Sequence, residues 1–395
     1  MRHRPISLKC PVFIAIAICT TFLFGCQLSI LNPDLTTSPL SGSTATLETS
    51  VVISPLETII SLATPSLITP HESTPTVEVV NDKQLILKKT FDFYGPFFAL
   101  SPDGNIIAAS YPDSVFTFTS QTAGQVGEFL KPKASLMGGE SVAFSPDGKK
   151  LAAEVNVEGK HGTESEFYLL DSTSLELLER YAFNGIMTDM QYSPDGKFVA
   201  GTGSERGRIY LWDITNKVVT HLKSAADHLA FSPVDSLLAS GETVSQGGPA
   251  VKLWNLIDFS SKGIFELDVD PNSYYSGAAT SVSFSPDGHL LAAVINGRLR
   301  FWDIIANNEV ESLLNTSDSL VKAIYSNKGY LATLDQKGEI TVYDPNTGTV
   351  LGTTVIKGIQ DPIYFELSFS MLFSPDGEQL LTGAYDVPIQ IWEIP

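Results

Sequence analysis

The chain has 395 residues, 43% of them hydrophobic and 17% charged, which is ample for a sizeable buried core. Its formal net charge is −19, and no basic cluster interrupts it, so phosphate backbones and anionic lipid surfaces are disfavoured as partners. The only three cysteines are Cys10, Cys19 and Cys26, so nothing beyond residue 26 can form an internal disulfide.

In chain order, the first expected element is a targeting segment over 1–25. Arg2, Arg4 and Lys9 form a basic start, and Val12–Phe24 is an apolar run of 13. That is the length of a secretory core and short for a membrane span. The run closes on Leu23-Phe24-Gly25-Cys26, which resembles the lipobox of bacterial lipoproteins, although Phe24 departs from the pattern. The resemblance implies cleavage before Cys26 and acylation of its sulfur and amine. Cys26 is therefore the candidate lipidation site, and two or more acyl chains give stable anchoring where one would not. The alternative is an ordinary signal peptide followed by a chance cysteine. Cleavage would remove three basic residues and no acidic ones, taking −19 to −22. Gln27, rather than Asp, follows the cysteine, which by resemblance to lipoprotein sorting in two-membrane bacteria does not specify inner-membrane retention.

Residues 26–82 are crowded with Ser, Thr and Pro, as in Thr36-Thr37-Ser38-Pro39 and Thr69-Pro70-His71-Glu72-Ser73-Thr74-Pro75. Prolines remove donors and no apolar period holds, so an extended, disordered tether is expected here.

From 83 to 395 one short motif organises everything. Phe144-Ser145-Pro146-Asp147-Gly148 recurs to the letter at Phe284–Gly288 and Phe373–Gly377. Tyr192–Gly196 and Leu100–Gly104 change only the first residue, while Phe231–Asp235 and Tyr325–Gly329 are eroded copies. The seven serines stand at 101, 145, 193, 232, 285, 326 and 374, a spacing of 39 to 53 residues that marks a repeat array. Ser-Pro-Asp-Gly suits a type I turn whose Gly can take positive φ and reverse the chain into a hairpin. Strand-like segments flank each turn, and a third apolar segment ends in an aromatic: Tyr210-Leu211-Trp212-Asp213, Lys252-Leu253-Trp254-Asn255, Arg300-Phe301-Trp302-Asp303, Thr341-Val342-Tyr343-Asp344 and Gln390-Ile391-Trp392-Glu393. A fourth stretch follows, as in Lys217–Leu222 or Glu309–Leu314.

Four short strands in each of seven repeats predict an all-β, seven-bladed β-propeller of four-stranded antiparallel blades. The chain ends on a third strand, and an unpartnered strand, Gln84–Asp92, stands before the first turn. Leu85–Phe91 is therefore expected to pair with Gln390–Ile394 and close the last blade, removing the exposed edges at the seam.

These turns and the Leu-Trp-Asp type strand ends make residues 83–395 resemble the WD-repeat family over nearly their whole length. The Gly-His dipeptide frequent in that family is missing, so its histidine–aspartate network is not expected, although Asp335 and Asp386 hold the hairpin-tip position. The nearest competing resemblance is to the periplasmic propeller type related to TolB, which shares the turn but not the Trp-Asp ending.

Strands a to d of a blade alternate in direction, so a–b and c–d connections share one face and b–c and d–a connections the other. The a–b turns are tight. The long connections are Lys131–Glu140, Val269–Thr280 and Ile356–Leu367 in the d–a set, and Asn156–Glu164 and Glu242–Ala250 in the b–c set. Binding residues concentrate on such loops, which makes Met137, Asp270, Tyr274, Tyr275, Asp361, Tyr364 and Phe365 the candidate partner-binding residues. The alternative for each aromatic is that it packs its own loop or caps a blade end. Gly201–Gly207 has the wrong spacing for a nucleotide loop and no following helix. The histidines at 71, 161, 221, 228 and 289 lack metal-ligand spacing, so neither metal nor cofactor is expected.

The expected function is a non-enzymatic, monomeric, extracytoplasmic platform on a bacterial membrane that holds a protein or peptide partner and no nucleic acid. The alternative is a propeller enzyme of lactonase or quinoprotein type. Such an enzyme needs polar groups converging on the axis, where the first strands offer Asp189, Asp227 and His228.

Overall fold

The computed structural model describes residues 83–94, 97–111, 113–131, 141–159, 162–183, 187–203, 208–224, 226–242, 251–265, 279–357, 369–384 and 387–395. The chain divides into units 1–75 and 76–395, and every described residue belongs to the second. Cys26 lies outside the described residues.

Seven four-stranded antiparallel sheets account for the described strands. Their first strands are Phe98–Leu100, Val142–Phe144, Met187–Tyr192, Ala226–Phe231, Ala279–Phe284, Leu320–Tyr325 and Phe369–Phe373. Six sheets run in chain order, a to d. The seventh takes its outer strand from the other end of the chain: Ile86–Tyr94 lies antiparallel to Pro388–Glu393, with Leu87 opposite Trp392 and Thr90 opposite Gln390. The expected closure is present. It extends one blade further, because Leu85 N–H donates to Thr353 O (2.9 Å) and Thr353 N–H to Lys83 O (3.0 Å) in the outer strand of the sixth blade.

Each turn is built as its residues require. In the second blade Ser145 Oγ donates to Asp147 Oδ1 (2.7 Å), Lys149 N–H donates to the same oxygen (3.1 Å), and Lys150 N–H donates to Ser145 Oγ (2.9 Å). Gly148 N–H closes the turn on Ser145 O (2.9 Å) at φ +70°, a conformation costly to any residue with a Cβ. The turns also touch around the ring. A Cβ on Gly148 would sit 3.6 Å from Pro102 Cδ, one on Gly196 3.6 Å from Pro146 Cδ, and one on Gly104 3.6 Å from Pro375 Cδ. The last contact joins the first blade to the seventh, so the ring is closed.

The core is a set of wedges between neighbouring sheets. Phe167 and Leu169 of the second blade pack on Val199, Tyr210 and Trp212 of the third, and Phe198 and Leu211 of the third pack on Leu229, Leu238 and Trp254 of the fourth. At the seam Phe91, Leu381, Ile389 and Ile391 meet Phe98, Ile107 and Phe118. Second strands such as Phe198–Gly203 are buried at every position because both faces of each sheet are covered. The tryptophans at 212, 254, 302 and 392 are all core residues.

Two expectations are corrected. Asn156–Glu164 is not a loop. Lys150–Gly159 and Gly162–Asp171 form one ten-residue-a-side hairpin, pairing down to Gly159 opposite Gly162. It exceeds the six-residue second strand of the third blade by four residues, about 13 Å of added reach. Conversely, the outer strand of the fifth blade is only Asn308–Val310, and 311–317 is irregular rather than a continuation through Leu314.

Candidate functional site

The seven candidate partner-binding residues fall in 132–140 (Met137), 266–278 (Asp270, Tyr274, Tyr275) and 358–368 (Asp361, Tyr364, Phe365), all outside the described residues. Described strand ends do fix the face they spring from. Each segment leaves the outer strand of one blade and enters the first strand of the next, on the face opposite the Ser-Pro-Asp-Gly turns. The long hairpin of the second blade rises from that same face.

The described residues place a second polar site on the axis. First strands of adjacent blades touch through side chains that bond the next strand's backbone. Asp189 Oδ2 accepts Leu229 N–H (2.9 Å), and Gln191 Nε2 donates to Leu229 O (2.7 Å). Ser281 Oγ donates to Ala323 O (2.8 Å), Tyr325 N–H donates to Ser283 Oγ (3.0 Å), and Lys322 Nζ donates to Phe369 O (3.2 Å). Asp189, His228, Ser281 and Lys322 occupy one register position, the third residue before the motif aromatic; Phe97, Ser141 and Ser370 fill it in the other blades. In the fourth, fifth and sixth blades a β-bulge comes immediately before this position, the device by which a strand re-aims a side chain.

The electrostatics of this ring follow from enclosure. Asp189, His228 and Lys322 are half-buried. Loss of water raises the Asp189 carboxyl, opposed by the Leu229 N–H bond and by the Lys322 ammonium. The same loss lowers Lys322, opposed by Asp189. His228 is pushed down to about 3 by desolvation first and the Lys322 charge second. Lys322 and Asp189 stand three blades apart at the same register position of the first strands, which places them on opposite sides of the ring. Asp227, the third expected axial group, is exposed instead. Among the described residues no set of three His, Cys, Asp or Glu could hold a metal ion.

Lys322 and Gln191 were not singled out from sequence. Their signal was the register itself, counted back from Tyr325 and Tyr192. Toward the turn face lies a cavity of about 310 Å³ lined by Gln191, Ser283, Phe231, Phe284, Tyr325 and Phe373.

A further network was unexpected. In the fourth blade Trp254 Nε1 donates to Ser240 Oγ (2.9 Å), Ser224 Oγ lies 3.3 Å from Ser240 Oγ and donates to Glu242, and Lys252 Nζ pairs with Glu242 Oε2 at 2.7 Å. A buried polar chain thus forms without histidine. In the seventh blade Trp392 Nε1 donates to Thr382 Oγ1 (2.9 Å). In the sixth, Tyr343 replaces the tryptophan, its hydroxyl donates to Asn315 O (3.2 Å), and a polar cavity of about 300 Å³ adjoins it. Asp335 Oδ1 accepts the N–H groups of Lys337 and Glu339 (both 2.9 Å) at the hairpin tip; Asp386 lies outside the described residues.

Comparison with known proteins agrees with this architecture. The family described as WD domain, G-beta repeat matches residues 178–213 and 267–303. The first of these covers the outer strand of the second blade and the inner three strands of the third, so one sequence repeat ties two blades together. Serine-threonine kinase receptor-associated protein of Homo sapiens is 20% identical over 75% of this chain and 78% of its own length. Periodic tryptophan protein 2 of Arabidopsis thaliana is 22% identical over 53% of this chain, and cell division cycle 20.5, cofactor of APC complex, from the same plant is 24% identical over 37%. The matches span 22% and 30% of those two plant proteins' lengths. The chain is a seven-bladed β-propeller that carries WD40 repeats.

Proposed function

We propose that this chain is a WD-repeat binding platform, tethered by an acylated Cys26 to the outer side of a bacterial membrane, that holds a protein or peptide partner. The observation that carries the binding half is the asymmetry of the ring. One face has only tight turns, and the other bears every long connection together with the ten-residue hairpin of the second blade. Rigid strands presenting long connections on one side suit recognition. Two relatives bear names of associating proteins, a cofactor of the APC complex and a receptor-associated protein. The anchoring half rests on residues 1–26 alone, and the relatives named above come from a plant and a mammal.

Both halves are testable in a bacterial host. Wild type should take up labelled fatty acid and sediment with membranes, while Cys26→Ser should do neither; equal labelling of both would sink the anchor. A pull-down from detergent-solubilised membranes should retain a partner with wild type. The Tyr274→Ala, Tyr275→Ala, Tyr364→Ala, Phe365→Ala variant should lose it at an unchanged unfolding midpoint, and equal capture by both would remove the binding site from this face.

A further inference from the structure

We propose that the axial ring is a proton-coupled binding site for a small oxyanion, held between Lys322 and His228. Lys322 has three N–H donors and spends one on Phe369 O at 3.2 Å, a neutral acceptor at the long end of the range. Neither ring nitrogen of His228 has a hydrogen-bond partner among the described residues, and the strand carrying it stands between those of Asp189 and Ser281. Asp189 does not compete for the same space in the way a free carboxylate would, because its Oδ2 is committed to Leu229 N–H. All three side chains keep partial exposure, and the 310 Å³ cavity toward the turn face is lined by residues of the same first strands, Gln191, Leu229 and Tyr325 among them.

Charge fixes the stoichiometry. With Asp189 ionised and His228 neutral, the ring's charges cancel. An added monoanion leaves one uncompensated negative charge in an enclosed site, which is costly. Protonation of His228 restores neutrality and turns both ring nitrogens into donors toward the anion. The charged groups that face His228 are Lys322 across the channel and Asp189 on the preceding strand, with the exposed Asp227 beside it on its own strand. Desolvation first and the Lys322 charge second hold the imidazole neutral in the empty site, and an anion between the two side chains opposes both by favouring the protonated ring. Binding therefore takes up one proton, and affinity rises as pH falls, by up to tenfold per unit between the unliganded and liganded His228 pKa.

The test is NMR of the imidazole resonances of the full chain, with His228 assigned by its loss in His228→Gln. Acetate and inorganic phosphate are titrated in separate arms at several pH values. The expected result is saturable movement of the His228 signal, a raised imidazole pKa in the saturated protein, and tighter binding at lower pH. The stronger arm shows whether a carboxylate or a phosphate is preferred. Lys322→Met should abolish the response and Lys322→Arg should keep it. Should Lys322→Met fail to fold, Asp189→Asn decides: removing the opposing charge should tighten binding several-fold, and unchanged or weaker binding overturns the proposal. A His228 signal unmoved by both anions, or moved equally in Lys322→Met, overturns it as well.

Discussion

Ser145 shows how much one residue of the motif does. Its hydroxyl donates to Asp147 and accepts from Lys150 N–H, so a single side chain closes the turn from inside while Gly148 reverses the backbone. The same bonds hold the aspartates low. At Asp103, Asp147, Asp287 and Asp376 the serine hydroxyl is the largest cause, and the N–H of the residue two positions on adds to it. A carboxyl whose folded pKa lies below its unfolded value, about 3.9, stabilises the fold above that value. The contribution disappears as pH falls through the depressed folded pKa. Replacing these four aspartates with asparagine should therefore lower the urea midpoint at neutral pH and flatten its fall in acid. A variant as acid-sensitive as wild type would show that the turns do not set the acid limb. The bonds that lower the aspartates draw on N–H groups just beyond the motif, such as that of Lys149. The turn itself was legible from sequence because Ser145, Pro146, Asp147 and Gly148 are contiguous. Lys322 was not, since its blade has the eroded turn Tyr325–Gly329 and a lysine in a strand has no periodic signature.

At the scale of elements, the strand Ile86–Tyr94 is the least local. Its burial alternates weakly, with Ile86 and Leu87 largely exposed, yet Phe91 is 0% exposed and packs between the seventh and first blades. Sequence reasoning reached the pairing by elimination: the chain ends on a third strand, and one strand is left over at the start. It missed the hairpin of the second blade because Val157-Glu158-Gly159-Lys160-His161-Gly162-Thr163 reads as a polar, glycine-flanked loop. Backbone pairing with a continuing partner strand outweighed that composition. It missed the fourth blade's polar chain for a related reason. Ser224, Ser240 and Glu242 are unremarkable along the sequence and meet only across strands. The energetic weight of the closing strand should sit on Phe91. Phe91→Ala is expected to cost about 3–5 kcal/mol by emptying a wedge between two blades, whereas Leu87→Ala should stay within about 0.5 kcal/mol. Denaturant unfolding of both variants checks this, and equal losses would mean that the strand acts through its backbone alone.

For the whole molecule, ring closure makes the two chain ends a single structural feature. Each blade covers a face of the next, so an open ring would expose the apolar faces of the first and seventh sheets together with the edge of Pro388–Glu393. Unpaired edges and uncovered sheet faces are the two liabilities a closed propeller removes. The N-terminal strand covers that edge, and Leu85 goes on to the sixth blade, where it is buried against Gly352. Stability should thus depend sharply on where the chain is cut. A fragment of 83–395 retains every strand and contact described above, and is expected to unfold in one cooperative transition at the midpoint of the full chain. A fragment of 95–395 differs by only twelve residues and loses Leu85, Phe91 and the outer strand of the seventh blade. It should unfold at much lower denaturant, with a broadened transition, and should self-associate through the bared edge. Equilibrium unfolding and light scattering on the two fragments separate the outcomes. If they proved equally stable, the seam would be held by the wedge between the seventh and first blades, and the N-terminal strand would serve only to protect an edge.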